Sequence, residues 1–307
     1  MNAKVILLVG LAAFTLFYVW TWYSSVRAGR LPKGDQKGAP NLLQLATGFV
    51  TNFFDTLGIG SFATTTSLFR ILRLVPDERI PGTLNVGHTT PSVTQAFIYI
   101  VIVTVAMPTL ASMIAAAVAG AWLGAGVVSR WSRARVQRGM GSALLAAAGL
   151  MLMTQLGLVP LGGTAVALSG GRLAVAVGVN FLLGALMTLG IGLYAPCMIL
   201  VSLLGMDPKA AFPIMMGSCA FLMPVGSVRF IGEGRYSLPA AVGLALGGVP
   251  AVLLAAYVVR SLPLSAVRWL VIVVVVYTAA ALLRAAQRER RPSGPAAPAA
   301  VPGPEAA

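Results

Sequence analysis

Long hydrophobic runs separated by short polar segments dominate this chain of 307 residues. The first run, 5–23, is about as long as a helix that crosses the ~30 Å hydrocarbon core of a bilayer. Six further runs of comparable length are 83–106, 109–128, 140–159, 212–229, 238–259 and 264–284. The pattern predicts an all-α, polytopic membrane protein.

Two other hydrophobic runs, 42–74 and 173–204, are too long for one crossing, and each contains the same four residues. These are Leu57-Gly58-Ile59-Gly60 in the first run and Leu189-Gly190-Ile191-Gly192 in the second. Glycine weakens a helix by ~1 kcal/mol relative to alanine. Each run is therefore predicted to be a helix broken in its middle.

The two glycine elements lie 132 residues apart, and other identities recur at the same spacing. They pair Thr56 with Thr188, Ala63 with Ala195, Pro76 with Pro208 and Pro81 with Pro213. Three hydrophobic runs follow each broken one, which indicates an internal duplication. We predict an N-terminal helix with a basic linker (1–40), repeat 1 (41–160), repeat 2 (161–288) and a disordered tail rich in proline and alanine (289–307).

Composition supports a lipid environment. Hydrophobic residues make up 58% of the chain, charged residues only 10%, and the mean hydropathy is +0.87. A typical globular protein has about 25% charged residues. So few charges cannot cover a water-soluble surface, which excludes a cytosolic enzyme, a disordered chain and a disulfide scaffold.

The net charge of +14 comes mainly from three groups of cations beside hydrophobic runs. They are Arg27, Arg30, Lys33 and Lys37; Arg130, Arg133, Arg135 and Arg138; and Arg284, Arg288, Arg290 and Arg291. This is the positive-inside pattern, whereas nucleic-acid binding would interleave cations with exposed aromatics. It predicts a multi-pass protein of the inner membrane, with its N-terminus outside and its C-terminus in the cytoplasm.

With all three cationic groups inside, both ends of 42–74 lie inside and both ends of 173–204 lie outside. Each broken run is then predicted to be a helical hairpin, and the two repeats have opposite orientation. The first run could instead be a signal peptide, with Lys4 before it and a cleavage site near Ala28. Trp20, Trp22 and Tyr23 at its end are typical of a membrane interface and favour a retained helix.

Inverted repeats with interrupted helices are typical of secondary transporters. A break frees backbone amides that lipid cannot satisfy, and the start of a half-helix carries partial positive charge that suits an anion. The alternative is that the glycines only allow close helix packing. The residues predicted to bind a small anion are Gly58, Ile59, Gly60, Ser61, Thr64, Thr65, Asn85, His88, Gly190, Gly192, Tyr194, Ser218 and Cys219.

Asp55 is the only carboxylate inside a predicted hydrophobic run, with Asn52 one turn earlier. Intramembrane acids are costly and usually face a cavity or a partner. Asp55 and Asn52 are predicted to couple transport to protons or sodium. Alternatively, Asp55 caps the second half-helix or bonds to Asn52. The lone histidine, His88, either relays protons or is a polar group bonded inside the helix bundle.

These features resemble the TauE/SafE sulfite exporter family, in which each half opens with a G-[IV]-G-G-G element inside a broken helix. The matching stretches are 48–60 and 184–196, with further similarity at 120–125 and 243–250. The third glycine is replaced by Ser61 and by Leu193. The resemblance covers about 42–288 and implies a permease for small sulfur-containing or organic anions such as sulfite and sulfonates.

The sequence therefore predicts an ion-gradient-coupled exporter that works by alternating access. Its expected partners are the anion, the lipid bilayer and, as an open question, further copies of the chain. We expect no catalytic residue, metal or cofactor, and the chain has no nucleotide-binding P-loop. The alternatives are an anion channel, a non-transporting scaffold, and an intramembrane enzyme that would need Asp55 and His88 as a pair.

Overall fold

The computed structural model describes residues 3–29, 39–128, 133–158, 163–187, 192–261 and 263–288. These ranges hold eleven α-helices: α1 Ala3–Arg27, α2 Leu42–Thr56, α3 Ser61–Ile71, α4 Ile80–Ile102, α5 Met107–Val128, α6 Arg133–Gln155, α7 Gly170–Met187, α8 Tyr194–Leu203, α9 Ala211–Glu233, α10 Leu238–Ser261 and α11 Leu264–Arg288. Short 3-10 turns precede α4 and α9. The described ranges contain no β-strand, and an isolated bridge joins Ala165 and Met206.

The prediction of an all-α, multi-pass membrane protein is confirmed at this level. Five helical segments of the described chain are long and apolar enough to cross a membrane: Ala3–Arg27, Gly170–Met187, Pro208–Glu233, Leu238–Val258 and Trp269–Arg288. The predicted crossings by α4, α5 and α6 stay predictions. The predicted basic linker and disordered tail fall largely outside the described residues.

Both broken runs are interrupted where the sequence predicted. The first break lies between the end of α2 at Thr56 and the start of α3 at Ser61. The second run is interrupted at Gly192 and Leu193, which are not helical and precede α8, while 188–191 lie outside the described residues. With 15, 11 and 10 residues, helices α2, α3 and α8 are each shorter than the ~20 residues that span a bilayer. The hairpin conformation and the opposite orientation stay predictions.

The described helix α6, Arg133–Gln155, includes seven residues before the predicted run 140–159. Its first turns carry Arg135 and Arg138, which are too polar to be counted in an apolar run. Arginine is nevertheless a good helix former, so the helix extends beyond its apolar part.

Helix packing follows a regular scheme. Helix α2 packs along α10, α5 along α7, α4 along α9, and α6 along α11. Small residues bring the first two pairs together. Gly48 faces the backbone of Gly243 and Leu244, and Gly184 lies against the carbonyl of Ala117. A side chain at either glycine would collide with backbone, so these contacts need glycine.

Helix α1 is attached to the bundle through a few buried side chains. Leu11 and Tyr18 are fully buried, and the Tyr18 hydroxyl donates to the Val86 carbonyl of α4 at 2.7 Å. Leu16 and Trp20 point outward and are about 70% exposed, as expected for a lipid-facing surface. The main apolar core lies further in, where α4, α5, α8 and α9 meet.

Candidate functional site

Asp55 is buried in the last turn of α2 and caps the first turn of α3. Its Oδ1 accepts a hydrogen bond from the Ser61 backbone N–H at 2.6 Å. The first N–H groups of a helix have no partner within it, so the carboxylate satisfies one that would otherwise be unpaired. The capping interpretation of Asp55 is thus confirmed. A bond to Asn52 is not formed, since the amide of Asn52 donates to the Gly48 carbonyl instead.

The other carboxylate oxygen connects the first break to the second. Gln95, on α4, donates from Nε2 to Asp55 Oδ2 at 2.9 Å and to Thr56 Oγ1 at 2.9 Å. Its Oε1 accepts from the Tyr194 hydroxyl at 2.8 Å. Tyr194 is the first residue of α8. A buried chain of hydrogen bonds therefore joins the two breaks, with Gln95 in the middle.

His88 is fully buried and holds α2, α3 and α4 together. Its Nδ1 lies 3.0 Å from Asn52 Oδ1, and its Nε2 lies 2.9 Å from Thr65 Oγ1. Because Asn52 Nδ2 donates to a carbonyl, Asn52 Oδ1 is the acceptor and Nδ1 of His88 carries the hydrogen. Thr65 then donates to Nε2 of a neutral ring. His88 is thus bonded inside the bundle, and neither ring nitrogen contacts Asp55.

Gly58 places the first break directly against α8. Its φ is +98°, and an added Cβ would lie 2.6 Å from the Met198 sulfur. Gly60 also has positive φ, +84°, but no atom would approach its Cβ within 4 Å. Ile59 is half-buried and packs against the main core. The hydroxyl of Thr64 bonds back to the Ser61 carbonyl at 2.8 Å.

Of the remaining predicted residues, Cys219 interacts with the Tyr194 hydroxyl, and the others lie outside these hydrogen bonds. Asn85 is half-buried and donates to the Pro81 carbonyl at 2.9 Å. On α9, Ser218 accepts from Asn180 at 3.3 Å and the Cys219 sulfur lies 3.7 Å from the Met187 sulfur. Gly192 is exposed, and Gly190 lies outside the described residues. The structure thus gathers Ser61, Thr65, His88 and Tyr194 with Asn52 and Asp55 around the first break.

Sequence reasoning missed Gln95, which makes the central contact. A signal for it was present, because His88, Ser92, Gln95 and Tyr99 recur at helical spacing on α4. All four side chains are buried. A buried polar stripe on a membrane helix indicates partners on neighbouring helices.

Comparison with known proteins gives no assignment, since no family model, curated protein or solved structure matches the chain. Within the described ranges, no three His, Cys, Asp or Glu side chains lie close enough together to hold a metal ion. Any functional conclusion therefore rests on the residues of the chain and their contacts.

Proposed function

We propose that this chain is a secondary transporter that exports a small sulfur-containing or organic anion across the inner membrane by alternating access. The observation that carries the proposal is the buried hydrogen-bond chain from Tyr194 through Gln95 to Asp55. It joins two helix breaks inside an apolar bundle. Polar groups at that depth are costly, which favours a functional role for them.

The packing scheme supports the inverted-repeat part of the proposal. If α2–α6 correspond to α7–α11, then the α2–α10 contact corresponds to the α7–α5 contact. The α4–α9 and α6–α11 contacts each correspond to themselves. A two-fold relation between repeats produces such pairing, and transporters of this type bind substrate where broken helices meet.

The proposed binding site lies at the first break. The Ser61 N–H, the Gln95 amide and the Tyr194 hydroxyl are donors that already serve, directly or through one another, the carboxylate of Asp55. An incoming anion competes with that carboxylate for the same donors. A proton on Asp55 would release them, so Asp55 is the proposed coupling residue, and Asn52 holds the neighbouring His88 in place.

Several features proposed here follow from the sequence. The arginine distribution supports an outside N-terminus and a cytoplasmic C-terminus. The resemblance to the TauE/SafE sulfite exporter family supports sulfite or a sulfonate as the anion. Export is the direction that this family implies.

Uptake into proteoliposomes tests the proposal. Purified protein is reconstituted and assayed with sulfite, a sulfonate and acetate under an imposed pH gradient. The wild type should show saturable uptake, and Asp55→Asn should abolish its dependence on the gradient. Asp207→Asn is the matched control, because Asp207 also caps a helical turn, through the Lys209 N–H, but lies outside the site.

The alternatives predict different results in the same assay. A linear current without saturation would identify a channel. Absence of uptake together with no thermal stabilisation by any of the three anions would favour a non-transporting scaffold. Gradient-dependent uptake that is unchanged in Asp55→Asn would remove Asp55 from the mechanism.

A further inference from the structure

We infer that Gln95 is a positioning residue that transmits the protonation state of Asp55 to Tyr194, so that the two helix breaks change together. This inference deepens the proposed function, and its consequence for transport depends on that function. The structural basis is independent of it, because it lies in the direction of the hydrogen bonds at Gln95.

Every hydrogen bond in this chain is donated toward Asp55. The Tyr194 hydroxyl donates to Gln95 Oε1, and Gln95 Nε2 donates to Asp55 Oδ2. An amide has one donor end and one acceptor end, whereas an ionised carboxylate only accepts. The observed order therefore corresponds to ionised Asp55, and a charge-assisted bond of this kind is among the stronger ones.

Protonation of Asp55 reverses that order. A solvent proton adds to Oδ2, and no other covalent bond changes. The new O–H then faces the Nε2 hydrogens of Gln95, so donor meets donor. A half-turn of the amide resolves the conflict, because Oε1 then accepts from Asp55 while Nε2 points at Tyr194. Thr56 Oγ1 loses its bond from Nε2 and turns its own hydrogen from the Asn52 carbonyl to Oε1. The Tyr194 hydroxyl must in turn rotate its hydrogen away and accept.

Asp55 meets Tyr194 both directly and through Gln95. From α3 the carboxylate accepts from the Ser61 N–H and interacts with the Ser61 hydroxyl, from α4 it accepts from Gln95, and from α8 the Tyr194 hydroxyl also interacts with it. The titratable groups whose charge interacts with it are Tyr194 on α8 and Cys219 on α9. In the described ranges no cation is paired with Asp55, so protonation of Asp55 does not break a salt bridge.

Infrared difference spectroscopy during a pH titration of the full chain tests the inference. The carbonyl band of protonated Asp55 is identified by its loss in Asp55→Asn. Tyr194→Phe removes one hydroxyl, which leaves the Gln95 amide less polarised and a weaker donor to the carboxylate. The midpoint of the band should therefore move to higher pH in Tyr194→Phe. In Gln95→Leu it should move further, by about one pH unit, because a hydrogen bond to a charged group is lost.

Tyr99→Phe is the matched control, since Tyr99 is also buried on this side of the bundle and its hydroxyl has no partner among the described residues. It should leave the midpoint unchanged. An unchanged midpoint in Tyr194→Phe would overturn the inference, even if Gln95→Leu shifted it, because Gln95 would then act only as a local donor. The double variant separates the route through Gln95 from the direct contact, because Tyr194→Phe should shift the midpoint less in the Gln95→Leu background than in the wild type. An equal shift in both backgrounds would overturn the inference, and Gln95→Met is the background if Gln95→Leu does not fold.

The same variants separate this inference from the proposed function. The infrared band requires no transport, so a shifted midpoint with no transported anion would support the inference and refute the transporter. Saturable uptake with an unshifted midpoint would support the transporter and overturn the inference. If both hold, the pH profile of uptake should move by the same amount in Tyr194→Phe.

Discussion

The two helix breaks occupy equivalent places in the sequence but differ in chemistry. At the first, Asp55 caps α3 and His88 bridges Asn52 and Thr65. At the spacing of 132 residues, the counterparts of Asp55, His88 and Thr65 are Met187, Ala220 and Cys197. Leu193 stands at the N-cap of α8 and, in the part of the chain that the structure describes, forms no side-chain cap.

Under the predicted duplication, this difference corresponds to specialisation of the two halves. The first break holds the charge and several hydrogen-bonded side chains, whereas at the second Met187 contacts the Cys219 sulfur. The polar group of the second break, the Tyr194 hydroxyl, reaches across to Gln95 of the first half. In the proposed mechanism coupling belongs to the first half, and Tyr194 connects the second half to it.

Making the first break resemble the second should have the largest effect on stability. Asp55→Met leaves the Ser61 N–H and one of the two Gln95 Nε2 hydrogens buried without an acceptor, while the other still donates to Thr56. Each such donor costs ~1–3 kcal/mol, so the free energy of unfolding in mixed micelles should fall by roughly 2–6 kcal/mol. Met187→Leu is the control at the second break and should cost under about 1.5 kcal/mol. Equal effects would contradict the comparison.

The glycines of the two breaks should differ next most strongly. Gly58→Ala adds a Cβ at positive φ and against the Met198 sulfur, so strain of ~1–2 kcal/mol adds to overpacking of ~1–3 kcal/mol. Gly60→Ala should introduce the backbone strain of positive φ but no close contact. Gly192→Ala should introduce neither strain nor a close contact. Thermal unfolding should rank these three variants in that order. A Gly58→Ala variant as stable as Gly60→Ala would mean that Met198 moves aside freely.

The sequence predicted the helix pattern well because long apolar runs have one structural solution in lipid. Both breaks, at Gly58 and at Gly192, lie where the glycine elements indicated. The site was predictable where charge or a rare residue marked it, as at Asp55 and His88. Their partners were less accessible, because a contact between helices depends on their rotation, which one sequence does not specify.

Gln95 illustrates this limit. Its spacing from His88 places it on the same face of α4, yet which helix that face contacts depends on how α2 and α8 pack against it. Asn85 shows the converse, since its polarity suggested a place in the site while its side chain bonds to Pro81 in its own helix. Polarity alone therefore identifies candidate site residues, but it does not show which of them contact one another.

Removing the histidine should have an intermediate effect. His88→Ala leaves Asn52 Oδ1 and Thr65 Oγ1 without the partner that they share, which should lower the free energy of unfolding by ~2 kcal/mol. The residue at the equivalent position of repeat 2 is Ala220, so Ala220→Gly, which removes a methyl group and no hydrogen bond, is the control there. Transport should also weaken, because Thr65 and Asn52 flank the first break. Full stability in His88→Ala would contradict its role as a bridge.

The smallest effect on stability is expected at Ser218, in the second half. Its hydroxyl accepts one long bond, 3.3 Å from Asn180, and Asn180 keeps a 2.7 Å bond to the Met113 carbonyl. Ser218→Ala should therefore change the free energy of unfolding by less than about 1 kcal/mol. If Ser218 contacts the anion, losing one hydrogen bond should raise the KM for uptake about 2–10-fold at unchanged stability. An unchanged KM would mean that Ser218 does not bind the anion. The hydrogen bonds to substrate would then come from the first break and from Tyr194, and the two halves would differ more clearly in function.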